Sequence, residues 1–326
     1  MANYLVTGAA GFIAARVAEM LIEAGHTVVG VDNLNDAYDV RVKSYRLDRL
    51  SRLPGFHFYR LDIGEKERLA AVFAENPPYT AVINLAARAG VRASLLDPWE
   101  YYKTNLTGTL NLLELCRSYQ VPKFVLASTS SVYGHNAPQP TPETSDSSQP
   151  LQPYAASKKA AEVLSYSYHY LFGIDVTVVR YFTVYGPAGR PDMVMFRFAK
   201  WISEGKPVLI NGDGTQSRGF TYVDDIARGT ILALKPLGYE IINLGGHEVI
   251  TINQLLRSFE AKIGRKARVE TRPFHPADML TNWADVSKAS QLLGWQAQVS
   301  LDDGIDRLVS WYRAEESWLG AIDVGA

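Results

Sequence analysis

Cysteine is nearly absent: Cys116 is the only one in 326 residues. That excludes an intrachain disulfide and any metal cluster built from thiolates. The setting of Cys116, Leu112-Leu113-Glu114-Leu115-Cys116-Arg117, reads as helix, so a buried and inert thiol is expected. Charge of one sign is equally scarce, with 33 Lys and Arg against 34 Asp and Glu and a formal net charge of −1. No bulk field therefore favours nucleic acid or an anionic membrane, and neither is an expected partner. No apolar run approaches the ~20 residues needed to cross a bilayer. The first apolar run is only Tyr4-Leu5-Val6, without a basic segment before it, so no cleavable leader is expected. A cytoplasmic location fits these absences. No repeat or low-complexity tract is evident.

What the chain does contain is alternation. Short apolar runs recur at Tyr4–Val6, Thr27–Val31, Phe56–Tyr59, Ala81–Leu85, Lys123–Ala127 and Asp175–Arg180. Helical patterns separate them, the first from about Phe12 to Ala24 with Gly25 as its cap, another around Glu65–Glu75. Strands separated by helices imply right-handed crossovers and a parallel sheet. The expectation is an α/β chain with a Rossmann-like doubly wound parallel sheet over residues 1–185. Residues 186–326 are expected to form mostly a smaller C-terminal substrate-binding domain, with about 221–245 returning to the large one. The Pro/Ser/Thr/Gln-rich segment His135–Pro153 reads as a long loop able to rim a site.

The first strand runs into Thr7-Gly8-Ala9-Ala10-Gly11-Phe12-Ile13-Ala14. Gly8 and Gly11 permit a tight turn that lets the backbone approach a pyrophosphate, which the helix N-terminus then attracts. Ala14 takes the third small position, and Phe12 and Ile13 open the helix beside that phosphate. Asp32 lies 24 residues beyond Gly8, at the end of the second strand. A carboxylate there accepts ribose hydroxyls and repels a 2′-phosphate, which favours NAD over NADP. Asn33, Asp62-Ile63, Leu85-Ala86-Ala87 and Tyr181 stand at the ends of later strands as further cofactor contacts. An acidic loop residue such as Asp62 is equally at home in solvent.

Ser128-Thr129-Ser130-Ser131 follows the fifth strand, at the end where ligands bind in open α/β sheets. Tyr154 and Lys158, in Tyr-Ala-Ala-Ser-Lys, share one helix face. An ordinary Tyr, with a pKa of about 10, is a poor base at neutral pH. A neighbouring ammonium is expected to lower that value. The pair then suits proton abstraction from an alcohol that is losing hydride.

Taken with Ser-Thr-Ser-Ser-Val-Tyr-Gly (128–134) and Tyr-Val-Asp-Asp (222–225), these motifs resemble the extended short-chain dehydrogenase/reductase family. Within it the chain is similar to nucleotide-sugar epimerases over nearly its whole length. The resemblance implies a bound NAD that takes hydride from sugar C4 and returns it to the opposite face of a 4-keto intermediate. It also implies catalytic roles for Thr129, Tyr154 and Lys158, with Lys158 on the nicotinamide ribose, and a homodimer formed through two helices. The apolar faces near Thr104–Leu115 and Ala160–Leu171 suit such a dimer or an ordinary core.

Relatives that dehydrate or decarboxylate the 4-ketosugar carry acidic residues before Val-Tyr-Gly, where this chain has Ser130-Ser131. The stretch from Arg180 to Met193 most resembles UDP-glucuronate 4-epimerases, which implies that Thr183 and Arg190 contact a C6 carboxylate. Arg190 suits that task, because a guanidinium binds a carboxylate through two parallel bonds. Arg88 and Arg92 follow the fourth strand, where they can meet the sugar or diphosphate or make surface pairs, and Ser130 in the hydroxyl cluster is a further substrate contact; the resemblance implies substrate roles for Arg218 and Asp278. Ala188 and His275 depart from the family pattern, which has Trp and often Arg there. A UDP-glucose 4-epimerase, a UDP-glucuronate decarboxylase and a non-catalytic NAD sensor remain as alternatives.

Overall fold

The computed structural model describes residues 1–76, 78–246, 248–274 and 280–325. The first half runs β1 (Asn3–Thr7), α1 (Phe12–Glu23), β2 (Thr27–Asp32), α2 (Val40–Leu50), β3 (Phe56–Arg60), α3 (Lys66–Glu75), β4 (Ala81–Asn84), α4 (Pro98–Tyr102), α5 (Gly108–Ser118), β5 (Lys123–Thr129), α6 (Pro153–Phe172) and β6 (Asp175–Tyr181). The second half runs β7 (Thr183–Tyr185), α7 (Val194–Glu204), β8 (Val208–Asn211), β9 (Ser217–Tyr222), α8 (Val223–Leu232), β10 (Tyr239–Leu244), β11 (Glu248–Thr251), α9 (Ile252–Ile263), β12 (Val269–Arg272), β13 (Thr281–Asn282), α10 (Ser287–Leu293), α11 (Leu301–Ala314) and α12 (Glu316–Leu319).

Seven strands form one parallel sheet in the order β3-β2-β1-β4-β5-β6-β10. Its central strands are apolar on both faces because helices cover both faces. Val6, Val28 and Ile83 pack with Val17 and Leu21 of α1 and Ile226 of α8. Leu5, Val29 and Leu126 face the other way, toward Phe73 of α3 and Leu112 of α5. Cys116 lies fully buried in that second layer, and burial pushes its thiol well above the ordinary range. A separate core gathers Phe196, Phe198, Phe220, Phe259, Ile305 and Tyr312 from the second half. The large sheet reverses its order between β1 and β4, which opens a crevice at the carboxyl ends of the strands.

The six strands read from the sequence are present to within a residue or two at their ends. Helix α2 carries no comparable sequence signal, being polar apart from Val40, Val42, Leu47 and Leu50. The return of the chain to the large sheet includes α8 and β10 and continues further. Helix α10 also packs there, and the buried Trp295 indole donates to the Asp225 carbonyl at 2.8 Å. The segment 135–152 does not line the cavity described below. It lies instead against the stretch after β13: Thr141 N–H donates to the Trp283 carbonyl and Asp285 N–H to the Thr141 carbonyl, each at 2.9 Å.

Helix α6 is locked to the sheet by a buried ion pair. Arg180 of β6 donates to Glu162 of α6 through Nε at 2.9 Å and Nη2 at 2.6 Å. Ser128 of β5 donates to the same carboxylate at 2.6 Å. Both members of the pair are 1% exposed, so removing one leaves an uncompensated charge. Glu162→Ala should destabilise the fold by about 3–5 kcal/mol, measured by urea denaturation, and Glu162→Gln by clearly less.

Candidate active site

A cavity of about 400 Å³ lies at the carboxyl ends of β1, β2, β4, β5 and β6, closed on its far side by residues of the second half. Its floor is the glycine turn. Gly8 has φ +68°, and a Cβ there would stand 2.8 Å from the Ala86 nitrogen. Gly11 donates its N–H to the Gly8 carbonyl at 2.7 Å, and a Cβ on it would meet that same oxygen. The turn therefore tolerates no side chain at either position, and it delivers Phe12 and Ile13 to the cavity wall at the start of α1. The Thr7 hydroxyl holds β1 to β4, donating to Asn84 Oδ1 at 2.7 Å and accepting from the Ala86 N–H at 3.1 Å.

Every cofactor candidate read from the sequence borders this one cavity: Asp32, Asn33, Asp62, Ile63, Leu85, Ala86, Ala87 and Tyr181 join the turn residues. The Asp32 carboxylate is oriented by the Ala10 N–H at 3.1 Å and the Leu34 N–H at 2.8 Å. Asp62 accepts from Asn33 Nδ2 at 2.7 Å and from the Gly64 N–H at 2.8 Å. Neither carboxylate is idle in solvent. Tyr181 keeps its ring on the wall while its hydroxyl pairs with Thr230 at 2.8 Å.

Thr129, Tyr154 and Lys158 meet in the same space. The Thr129 hydroxyl donates to the Ser131 hydroxyl at 3.2 Å and lies close enough to Tyr154 to act on its phenol, while Tyr101 meets the Tyr154 ring edge-on at 6.1 Å. Lys158 is 2% exposed and its Nζ has no hydrogen-bond partner. The electrostatics differ from the expectation. Burial raises the Tyr154 pKa, and the forces opposing that rise are Thr129 and the Arg190 guanidinium rather than Lys158. Burial lowers the Lys158 ammonium to about 8, opposed by Glu162. Desolvation penalises both charged forms and is the largest influence on each in the protein alone.

Thr183, Ser130 and Arg190 also line the cavity. Arg190 pairs with Asp192, Nε to Oδ1 at 3.1 Å and Nη2 to Oδ2 at 2.6 Å. Three other candidates are placed differently. Arg88 does not border the cavity; its backbone is held by the Asn105 side chain, at 2.9 and 3.0 Å. Arg218 is also off the wall, donating to the Ser217 and Leu280 carbonyls from β9. Asp278, with His275, lies outside the described residues. Ala188 sits behind the wall, its carbonyl accepting from Arg46 at 2.7 Å.

Sequence reading missed Tyr38, Lys43 and Asn282, which line the cavity, and Arg46 behind them. Asn282 arrives from β13 and donates to the Ser130 hydroxyl at 3.1 Å, a contact no local pattern announces. Lys43 and Arg46 carried one usable signal, two cations three apart on a helix just after Asp32. Burial depresses Lys43 to about 8 despite the Asp32 charge nearby.

The residues present fit a dinucleotide. A side-chain-free turn at a helix start, an oriented carboxylate at the second strand and a buried ammonium without a partner are the three features such a ligand needs.

Comparison with known proteins agrees. The profile of the NAD dependent epimerase/dehydratase family matches residues 4–245, and the chain belongs to that family. A UDP-glucuronate 4-epimerase of Thermodesulfobacterium geofontis is 56% identical over 325 residues, 99% of this chain and 100% of the relative. Among solved structures, a mutant UDP-glucuronic acid 4-epimerase of Bacillus cereus, in complex with UDP-4-deoxy-4-fluoro-glucuronic acid and NAD, superposes with a TM-score of 0.90. It is 37% identical, covering 96% of this chain and 99% of that one. A UDP-glucose 4-epimerase of Thermotoga maritima with UDP-glucose follows at a TM-score of 0.88 and 35% identity, with the same coverage.

The buried Lys158 makes a pH-dependent prediction. Its folded pKa of about 8 lies below the ordinary 10.5, so below pH 8 the fold must carry an unfavourable buried ammonium. Between those values the unfolded chain binds the proton more readily, so this group lets stability rise with pH. In the cofactor-free protein Lys158→Met should stabilise the fold at pH 7 by about 3 kcal/mol. That gain should shrink as pH rises from 8 toward 10.5, read from denaturation midpoints across the range.

Proposed function

We propose that this protein is an NAD-dependent isomerase that inverts C4 of a UDP-sugar, interconverting UDP-glucuronate and UDP-galacturonate. One observation carries the reading: Tyr154, Thr129, Lys158 and Arg190 border a single cavity with the glycine turn. The 56% identical relative supports the same substrate. The glycine turn, Phe12, Ile13, Asp32, Asn33, Asp62, Ile63, Leu85 to Ala87, Lys158 and Tyr181 hold the cofactor. Bound NAD supplies the acceptor for the C4 hydride, and later its donor.

Tyr154 takes the proton of the C4 hydroxyl, with Thr129 sharing the hydrogen bond and steadying the phenolic oxygen. Lys158, buried and without a protein partner, gives its ammonium to the nicotinamide ribose. That placement adds positive charge beside the phenol and favours its ionised form. Ser130, braced by Asn282, contacts the sugar without acid or base function. No carboxylic acid stands at positions 130–131, which disfavours dehydration and decarboxylation. A 4-keto-6-carboxylate is a β-keto acid prone to lose carbon dioxide. Thr183 and Arg190 keep its carboxylate turned so that the breaking bond is not aligned with the ketone.

The neutral-sugar reading shares the fold, with TM-scores of 0.90 and 0.88, so what favours the uronate is Arg190 on the cavity wall together with the 56% identical relative. We assign residues 186–326 mostly to nucleotide-sugar binding, with Arg88 and Arg218 kept as contacts beyond the cavity wall and Asp278 kept as the carboxylate the family resemblance implies. Among the described residues no helix is long and apolar enough to cross a membrane, and a cytoplasmic enzyme is the matching assignment. A homodimer is assigned to the outer faces of α5 and α6, the segments near Thr104–Leu115 and Ala160–Leu171. Val163, Tyr166 and Tyr170 are exposed at helical spacing along α6, and Leu110 is exposed on α5. Large exposed apolar patches mark interaction sites.

Incubated with UDP-glucuronate and no added acceptor, the purified protein should yield UDP-galacturonate by chromatography and mass spectrometry of the sugar. Turnover of UDP-glucose alone would move the assignment to the neutral-sugar enzyme. Tyr154→Phe should lose turnover by about 10²–10⁴-fold while keeping NAD, released and counted after denaturation. In sedimentation velocity the protein should run as a dimer and a Val163→Asp/Tyr170→Asp variant as a monomer.

A further inference from the structure

Arg190 is restrained on two sides by residues that none of the assigned roles uses. Asp192 takes its Nε and Nη2 edge. The Tyr38 ring lies against its guanidinium, 5.6 Å from centroid to Cζ. Tyr38 is itself fixed, because its hydroxyl accepts from Arg46 Nη2 at 2.5 Å. The remaining nitrogens of Arg46 bind the Ala10 carbonyl of the glycine turn at 2.8 Å and the Ala188 carbonyl of the sugar-side loop at 2.7 Å. Asp192 is held by the backbone: Met193 N–H donates to the Arg190 carbonyl at 3.2 Å, closing a turn with Pro191 in its second position. Proline presets that turn.

A guanidinium offers two edges for paired hydrogen bonds. With one edge taken by Asp192 and one face by Tyr38, the Nη1 end is left for a planar anion. Asp192 does not cancel the charge of the loop, since Arg197 of α7 also acts on that carboxylate. We propose that Asp192 and Tyr38 are positioning residues that orient Arg190 for the C6 carboxylate and thereby set the preference for a uronate over a neutral hexose. This rests on the proposed uronate reading and deepens it. Asp192 does not itself line the cavity and meets its wall through Arg190, so its proposed effect runs through that guanidinium.

The test is calorimetric binding of UDP-glucuronate and UDP-glucose to NAD-loaded protein, in a Tyr154→Phe background that suppresses turnover. Asp192→Asn should weaken UDP-glucuronate binding by about tenfold or more, the loss of an oriented charge-assisted contact. UDP-glucose binding should weaken far less, and Asp192→Glu should recover most of the difference. Tyr38→Leu should show the same loss of preference, with NAD content counted to separate it from cofactor loss. Unchanged or tighter UDP-glucuronate binding in Asp192→Asn would overturn the proposal, the tighter case marking Asp192 as a competitor of the substrate. An equal loss for both sugars would overturn it too, marking the turn as merely structural. If the protein without these changes shows no preference for UDP-glucuronate, the uronate reading itself fails, and that is seen before any Asp192 variant is made.

Discussion

The carboxylate of Glu162 is where helix, sheet and chemistry are joined. It accepts from Arg180 on β6 and Ser128 on β5, and it sits two turns beyond Tyr154 on α6. Thr129 follows Ser128 directly, so one buried anion fixes the phenol, the ammonium and the hydroxyl against each other. A salt bridge this deep contributes little net stability relative to an apolar substitute, because two charges must leave water. What it confers is geometry. A helix packed only by apolar contacts can slide or rotate slightly, whereas a carboxylate with three directed donors cannot.

The same desolvation that makes the knot rigid sets the condition of the reacting groups. In the protein alone burial holds the Tyr154 phenol up and the Lys158 ammonium down, so it penalises the charged form of each. The site is therefore incomplete without its cofactor. Under the role proposed for Tyr154, a partner that hydrogen-bonds the ammonium and brings positive charge would shift the phenol back toward its ionised form.

Arg46 makes a second connection, across the cavity rather than beneath it. By binding Ala10, Ala188 and Tyr38 at once it couples the cofactor turn to the loop that carries Arg190. The two ends of the cavity are thus set at a fixed separation by one satisfied, 5% exposed guanidinium.

The parallel sheet was legible in the chain because buried central strands must be continuously apolar and their connections must be helical. The glycine turn, Asp32 and the Tyr154/Lys158 pair were legible because each depends on spacing within one element or one turn. Helix α2 was not, since its few apolar residues meet a surface formed by other segments. Asn282, Tyr38 and Arg46 were not, since their roles come from partners 8 to 152 residues away. The direction of the phenol's shift was also misjudged from sequence, because proximity of a cation is local whereas desolvation depends on everything packed around it. Sequence by itself determined which residue types stand at each strand end and which lie a helical turn apart. Tertiary structure alone decided which of them share a dry cavity, and so how each is charged and what each can hold.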